Sequence, residues 1–176
     1  MNPRIGDNGG KMNQLLLRPA LSLKLNRFVT AHSGYAYVVT YQPKTFYENR
    51  LWQQLALSNR LLRGSLLNRT RLEERYIQNI DGVGMRLRHM VWLRHPVGIR
   101  DLYLSIYDEL FVNLNTLPKG PASGIDQNRL FVGIGKRLMK RANVRAEFGY
   151  MHQYINKTEV DDEGNHVLLL GLFGDF

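Results

Sequence analysis

The sequence predicts an all-β fold, a closed antiparallel up-and-down transmembrane β-barrel of about ten strands, and three observations predict it. Apolar and polar side chains alternate with period two from Leu15 onward, which places them on opposite faces of strands. The predicted strands are about 11 to 15 residues long, which is long enough to cross a bilayer and longer than the strands of most soluble sheets. The longest nearly unbroken apolar run, residues 167–173, is far shorter than the ~20 residues of a membrane-spanning helix.

Nine alternating segments are separated by turn residues, and closed bacterial barrels have an even number of strands. The nine segments are residues 15–26, 29–41, 47–58, 65–78, 83–95, 101–114, 127–138, 143–155 and 165–176. We therefore expect residues 1–4 to be the stub of a first strand and residues 5–13 to be the loop after it. Residues 1–14 would then be a remnant within a single domain, residues 1–176. Because residues 1–11 are polar and show no signal peptide, we expect a processed chain or one that lacks its true beginning.

Charged side chains share one face of the predicted strands. We expect this face to be the barrel interior, because charges that face lipid are costly, whereas the lumen of a small barrel can hold charges that pair with each other. Counting back through the hairpin turns pairs Glu73 with Arg88 and Glu109 with Arg86. Ten strands leave an interior that side chains can fill, which favours a packed charge network over an aqueous channel. The predicted lumen network consists of Arg69, Arg71, Glu73, Arg75, Arg86, Arg88, Glu109, Arg129, Arg145 and Glu147.

The opposite, apolar face has polar exceptions and an aromatic rim. Glu74, His89 and Asp108 fall on this face by parity. A bulge or a shifted register is the favoured explanation, because one inserted residue exchanges the faces; a protein contact or a functional polar patch is the alternative. Tyrosines near the strand ends indicate interfacial girdles: Tyr35, Tyr37, Tyr41, Tyr150 and Tyr154.

Composition narrows the possible chemistry. The chain has no cysteine, which excludes disulfides and thiolate metal sites, and its five histidines lack the paired spacing of zinc ligands. We predict no metal and no cofactor. The net charge of +9 would suit a nucleic-acid binder, and Trp92, Tyr76 and Tyr103 could stack on bases. However, the arginines share their face with glutamates and the other face is strongly apolar, so we expect no nucleic-acid partner.

Two other function classes stay open. A lumen-facing, lipid-modifying hydrolase would need a nucleophile, a base and an orienting carboxylate in contact, and the inward-facing candidates are Ser58, Ser105, His32 and Glu73. A soluble, lipocalin-like carrier of an apolar ligand would reverse the faces, with leucines inside and arginines outside. Strand length and the aromatic rim favour the membrane barrel over the carrier.

Several segments together resemble an uncharacterised bacterial outer-membrane barrel family, domain of unknown function family 2490. They are LLLRPALSLKLN (15–26), GYAYV (34–38), ENRLWQQL (48–55), NRTRLEERY (68–76), DELFVNL (108–114), NRLFVGIG (128–135) and the terminal phenylalanine. The resemblance implies a location in the bacterial outer membrane, with membrane lipid as a partner. Phe176 also resembles the carboxy-terminal signal by which the outer-membrane assembly machinery recognises barrels.

The function expected from all these features is that of an outer-membrane barrel protein with a structural or binding role. We expect no enzymatic activity, and the sequence indicates no small-molecule ligand.

Overall fold

The computed structural model of the protein describes residues 4–5, 12–41, 45–139, 144–157 and 161–174. No helix in these ranges is long and apolar enough to cross a membrane. The same ranges contain eleven strands: β1 (Arg4–Ile5), β2 (Met12–Leu17), β3 (Ala20–Lys24), β4 (Val29–Thr40), β5 (Phe46–Leu61), β6 (Gly64–Ile77), β7 (Gly84–Pro96), β8 (Leu102–Asn113), β9 (Gly124–Met139), β10 (Val144–Ile155) and β11 (Glu163–Phe173).

The strands form one antiparallel, up-and-down sheet. Its order is β1-β2-β4-β5-β6-β7-β8-β9-β10-β11, and β3 pairs with β4 beside this path. Apart from β2 and β3, which both pair with β4, strands that follow each other in the chain are neighbours in the sheet, which is the simplest antiparallel connectivity. The predicted all-β class and the up-and-down order of about ten strands are confirmed.

The strand predicted at residues 15–26 is interrupted at Arg18 and Pro19, which separate β2 from β3. Proline has no backbone N–H to donate to a ladder. The Pro19 carbonyl nevertheless accepts a hydrogen bond from the Tyr35 N–H at 3.2 Å, and pairing resumes with Ala20 opposite Gly34. The prediction of one continuous strand is wrong at this point, although both halves pair with β4.

The amino-terminal boundaries also differ from those expected. β1 pairs with β2, so that Arg4 lies opposite Gln14 and Ile5 opposite Met12. Both Ile5 and Met12 belong to the loop predicted at residues 5–13, and the structure places both in strands. The predicted loop is wrong at its two ends, because backbone pairing begins closer to the turn than the side-chain pattern showed.

The described residues group into two compact units. The first unit comprises Met1–Ala56, Thr70–Arg88 and Val112–Gly124, and the second comprises Leu57–Arg69, His89–Phe111 and Ile125–Phe176. Each unit has its own set of buried charges.

In the first unit, charged side chains are buried while leucines of the same strands are exposed. Glu48 on β5 is 4% exposed, whereas Leu55 on the same strand is 49% exposed. The buried face also holds apolar side chains, among them Val38 and Trp52. Strand alternation places the charges together on this face.

The second unit shows the same inversion. Glu147 on β10 is 3% exposed and Ser105 on β8 is fully buried. Leu168, Leu170 and Leu172 on β11 are instead 72–75% exposed. This distribution is the reverse of the usual one, in which leucines are often buried and glutamates are mostly exposed.

Candidate functional site

The charge cluster of the first unit is centred on Glu73 of β6. Its Oε2 accepts hydrogen bonds from Arg86 Nη2 at 2.7 Å and Nε at 3.1 Å, and its Oε1 accepts one from Arg88 Nη1 at 2.7 Å. Arg71 and Arg50 add guanidinium nitrogens 3.6 and 3.9 Å from the same carboxylate. The Glu73–Arg88 pair predicted from the hairpin register is present.

A second carboxylate of this cluster, Glu48 on β5, is absent from the predicted network. Its Oε1 accepts hydrogen bonds from Arg50 Nε at 2.8 Å and from Arg75 Nε at 2.5 Å. The signal that could have found it is the alternation of Glu48, Arg50, Trp52 and Gln54 along β5, which places these four side chains on one face.

Arg71 connects this cluster to an aromatic ring. Its Nε and Nη2 donate to Gln54 Oε1 at 3.0 and 2.5 Å. Its guanidinium carbon lies 4.2 Å from the centre of the Trp52 ring, and that of Arg18 lies 5.8 Å from the same ring. The Trp52 ring therefore contacts the buried guanidinium of Arg71 and lies near the exposed one of Arg18.

In the second unit, Arg69 Nη2 donates to Glu109 Oε1 at 2.6 Å. The sequence predicts both residues on the charged face and pairs Glu109 with Arg86. Arg69 lies on β6 and Glu109 on β8, two strands apart in the sheet. Hairpin counting compares adjacent strands, so it misses a pair in which a long guanidinium side chain crosses the strand between.

Glu147 on β10 is the centre of a second cluster in this unit. Its Oε1 accepts hydrogen bonds from Arg94 Nε at 2.9 Å and from the Tyr103 hydroxyl at 2.8 Å. Its Oε2 accepts one from the Ser105 hydroxyl at 2.9 Å, and Ser105 in turn accepts one from Trp92 Nε1 at 2.8 Å. Both carboxylate oxygens are therefore bonded in a buried position.

Glycines make room for this cluster. Glu147 lies opposite Gly135 of β9 and Gly171 of β11 in the two ladders. A Cβ at Gly135 would lie 2.5 Å from the Tyr103 hydroxyl oxygen, and a Cβ at Gly171 would lie 2.8 Å from Cε2 of Phe173. The rings of Tyr103 and Phe173 thus occupy the space that side chains at the two glycines would fill.

The remaining predicted network residues lie on strands of the second unit. The Arg129 guanidinium lies 4.8 Å from the centre of the Phe111 ring. Arg145 is half-buried and lies opposite Phe173 in the ladder of β10 and β11. Phe176, the predicted assembly signal, lies outside the described residues.

The three polar exceptions lie on the exposed side of their strands. Glu74 is half-buried, and His89 and Asp108 are exposed. Each of them is next to a buried residue, and the buried positions keep the same parity before and after it. The faces are therefore not exchanged, and the favoured explanation by a bulge is wrong at these positions. Asn128 Nδ2 donates hydrogen bonds to both carboxylate oxygens of Asp108, at 3.2 Å to Oδ1 and 3.1 Å to Oδ2.

Tyrosines occupy the exposed face of each unit. In the first unit Tyr37 and Tyr47 stack with their ring centres 6.1 Å apart. In the second unit the Tyr150 hydroxyl bonds to His166, and the Tyr154 hydroxyl donates to Asp162. The hydrogen bond from Tyr154 lowers the pKa of Asp162, and the backbone N–H of Lys157 adds to this effect.

The first unit also carries an apolar groove of about 590 Å³. Leu21 and Leu23 of β3 line one part of it, and Leu55, Leu72 and Leu87 line another. Ser22 and His32 also line the groove and bond to each other at 2.7 Å.

The candidates for a hydrolase have different partners. Ser105 bonds to Glu147 and Trp92, Glu73 bonds to arginines, and His32 bonds to Ser22. Ser58 is exposed. The described residues hold no group of three or more His, Asp or Glu side chains that could bind a metal ion.

Comparisons with known proteins place these observations in a family. The chain is 30% identical to an uncharacterised protein of Methylorubrum extorquens, in an alignment that covers 98% of this chain and 77% of the relative. No solved structure matches the chain significantly. Residues 1–164 match the family described as protein of unknown function DUF2490. The chain therefore belongs to the DUF2490 family.

Proposed function

We propose that the protein is an integral β-barrel of the bacterial outer membrane, closed between its first and last strands, with a structural or binding role and no catalytic activity. Its exposed face contacts lipid, and its buried charge clusters fill the interior. Outer-membrane lipid and the outer-membrane assembly machinery are the partners that this role implies.

The observation that carries the proposal is the inverted distribution of side chains. Glu73 is 2% exposed and surrounded by arginines, whereas Leu170 is 75% exposed. Removing a leucine side chain from water is worth about 1.5–3 kcal/mol, so a row of exposed leucines favours an apolar environment. Lipid tails provide that environment, and the paired carboxylates avoid it.

Two further features support a membrane-spanning sheet. β5 and β9 are each 16 residues long, more than the ~9–11 tilted residues that a transmembrane strand requires. The exposed tyrosines are of the amphipathic type that is enriched at membrane–water interfaces. The lipocalin-like alternative would need the strand leucines on the buried face, whereas Leu55 in the first unit and Leu168, Leu170 and Leu172 in the second are exposed.

Detergent dependence tests this proposal. We expect the purified chain to fold in detergent micelles or lipid vesicles and to aggregate when the detergent is removed, because the leucine rows then meet water. The measurement is size-exclusion chromatography with circular dichroism, with and without micelles. A folded monomer in plain buffer would contradict the proposal.

A further inference from the structure

Two turns and one strand end of the second unit lie at the same end of its strands. They are the turn after β5, the turn after β7 and the end of β9. The Arg137 N–H donates to the Asp101 carbonyl at 2.9 Å, and a Cβ at Gly64 would lie 3.1 Å from His95 Nδ1. Five exposed cations lie in these two turns or in the last residues of β5 and β9 and are called the basic rim: Arg60, Arg63, Arg100, Lys136 and Arg137.

The cations of the basic rim differ from the buried arginines in having little pairing. Among the described residues, the side chains of Arg60, Arg63, Lys136 and Arg137 form no ion pair. Arg100 lies 3.5 Å from Asp101 and its side chain is 87% exposed. This end of the second unit therefore presents a surplus of positive charge to its surroundings.

Apolar side chains stand between these cations. Leu62 is 89% exposed, Ile99 is 64% exposed and Met139 is 61% exposed. Leu62 also has a φ of 55°, a left-handed conformation that leucine rarely adopts. Asn79, in another turn of the chain, has nearly the same φ of 60°, and asparagine is a residue type that tolerates this conformation. A strained and exposed leucine at a turn tip indicates that this surface contacts an apolar environment.

The opposite strand end of the same unit has the reverse charge. Asp126, Asp161 and Asp162 lie there together with Glu163, whose carboxylate pairs with Lys157. The two ends of the unit thus differ in sign, so each end would favour a different leaflet surface.

We propose that the basic rim binds the headgroups of anionic phospholipids, while Leu62, Ile99 and Met139 enter the interfacial layer of the same leaflet. This inference rests on the proposed membrane-spanning role. Exposed Lys and Arg side chains attract an anionic membrane surface, and aliphatic side chains beside them add burial in the interface.

Lipid retention tests the basic rim. The full chain is reconstituted in nanodiscs with equal amounts of phosphatidylglycerol and phosphatidylcholine, and native mass spectrometry counts the lipids it retains after release. We expect the wild-type chain to retain mainly phosphatidylglycerol. In the variant R60Q/R63Q we expect the ratio of retained phosphatidylglycerol to retained phosphatidylcholine to fall about tenfold or more, because each cation at an anionic surface contributes to the affinity for anionic lipid.

The matched control is K119Q/K157Q, which removes two exposed cations outside the basic rim and is expected to keep the preference. If the wild-type chain enters nanodiscs without preferring phosphatidylglycerol, or if R60Q/R63Q retains the preference, the basic-rim proposal alone is overturned. If the wild-type chain does not enter nanodiscs, the membrane-spanning role fails and the rim proposal fails with it.

A second variant separates lipid contact from turn stability. Leu62→Asn places a residue that tolerates positive φ at the turn, so the unfolding midpoint in micelles is expected to stay the same or to rise. The number of phosphatidylglycerol molecules retained is nevertheless expected to fall, because the apolar side chain that enters the interfacial layer is lost. Unchanged retention in this variant would overturn the assigned role of Leu62.

Discussion

Glu73 is the residue on which the charge cluster of the first unit depends. Its two oxygens accept hydrogen bonds from Arg86 and Arg88, and Arg71 and Arg50 lie within 4 Å. A buried ion pair gives little net stability relative to an apolar core, but removing one partner leaves the other charged and desolvated. The carboxylate is therefore needed because the arginines around it are buried.

Replacing Glu73 tests this dependence. We expect Glu73→Ala to lower the free energy of unfolding by about 3–5 kcal/mol, because it leaves buried guanidinium groups without their carboxylate. The adjacent Glu74→Ala is the matched control and is expected to leave the free energy of unfolding unchanged or to raise it, because a carboxylate on a lipid-facing side is costly. Guanidinium-chloride unfolding in micelles measures both, and equal midpoints in the two variants would contradict the account.

Glu109 makes a parallel case in the second unit. Its bond from Arg69 at 2.6 Å joins β6 to β8. We expect Glu109→Ala to destabilise the protein by a few kcal/mol, because a half-buried guanidinium then loses its charged partner. The same unfolding experiment measures the change, and a midpoint equal to that of the wild type would argue against a role in stability.

At the scale of elements, β9 and β10 approach each other closely because of a glycine pair. Gly133 lies directly opposite Gly149, and the Phe131 ring covers both. An aromatic side chain that lies over glycine restores packing where the strand has no side chain of its own. Alternation in the sequence predicted both strands but could not predict this contact, since a glycine has no side chain to show a face.

Gly149→Ala tests the close approach. The new Cβ would lie 2.8 Å from Cε2 of Phe131 and would also meet the backbone of Gly133, so the ladder must shift. We expect a loss of about 1–3 kcal/mol in the free energy of unfolding. Gly164→Ala is the control, since its Cβ would meet His152 Nε2 only at 3.5 Å, and its midpoint should stay unchanged. Equal effects of the two substitutions would contradict the packing argument.

At the scale of the whole molecule, the sequence predicted the all-β class and the up-and-down order because period two persists along nearly the whole chain. It also placed Arg71, Glu73 and Glu147 on the sides of their strands that are buried in their units. It did not predict the interruption at Pro19. It also missed the Arg69–Glu109 pair, because that contact depends on how far a side chain reaches across the sheet and not on parity.

Closure of the sheet has its own test. In an antiparallel ladder, alternate N–H groups of β11 point toward β10, and the others point toward the opposite edge. A closed barrel pairs both edges, so we expect all amides in the middle of β11 to resist hydrogen exchange in micelles. Fast exchange at every second amide would show an open edge and contradict closure.

The central claim is that the exposed face of the sheet contacts lipid, and labelling of two adjacent residues on opposite faces of β11 tests it most directly. The chain has no cysteine, so Leu170→Cys and Leu169→Cys can each carry a single fluorescent label. In vesicles that contain lipids spin-labelled in the acyl chain, we predict strong quenching at position 170, which is 75% exposed, and weak quenching at the half-buried position 169. Equal quenching at the two positions, or stronger quenching at position 169, would contradict the account.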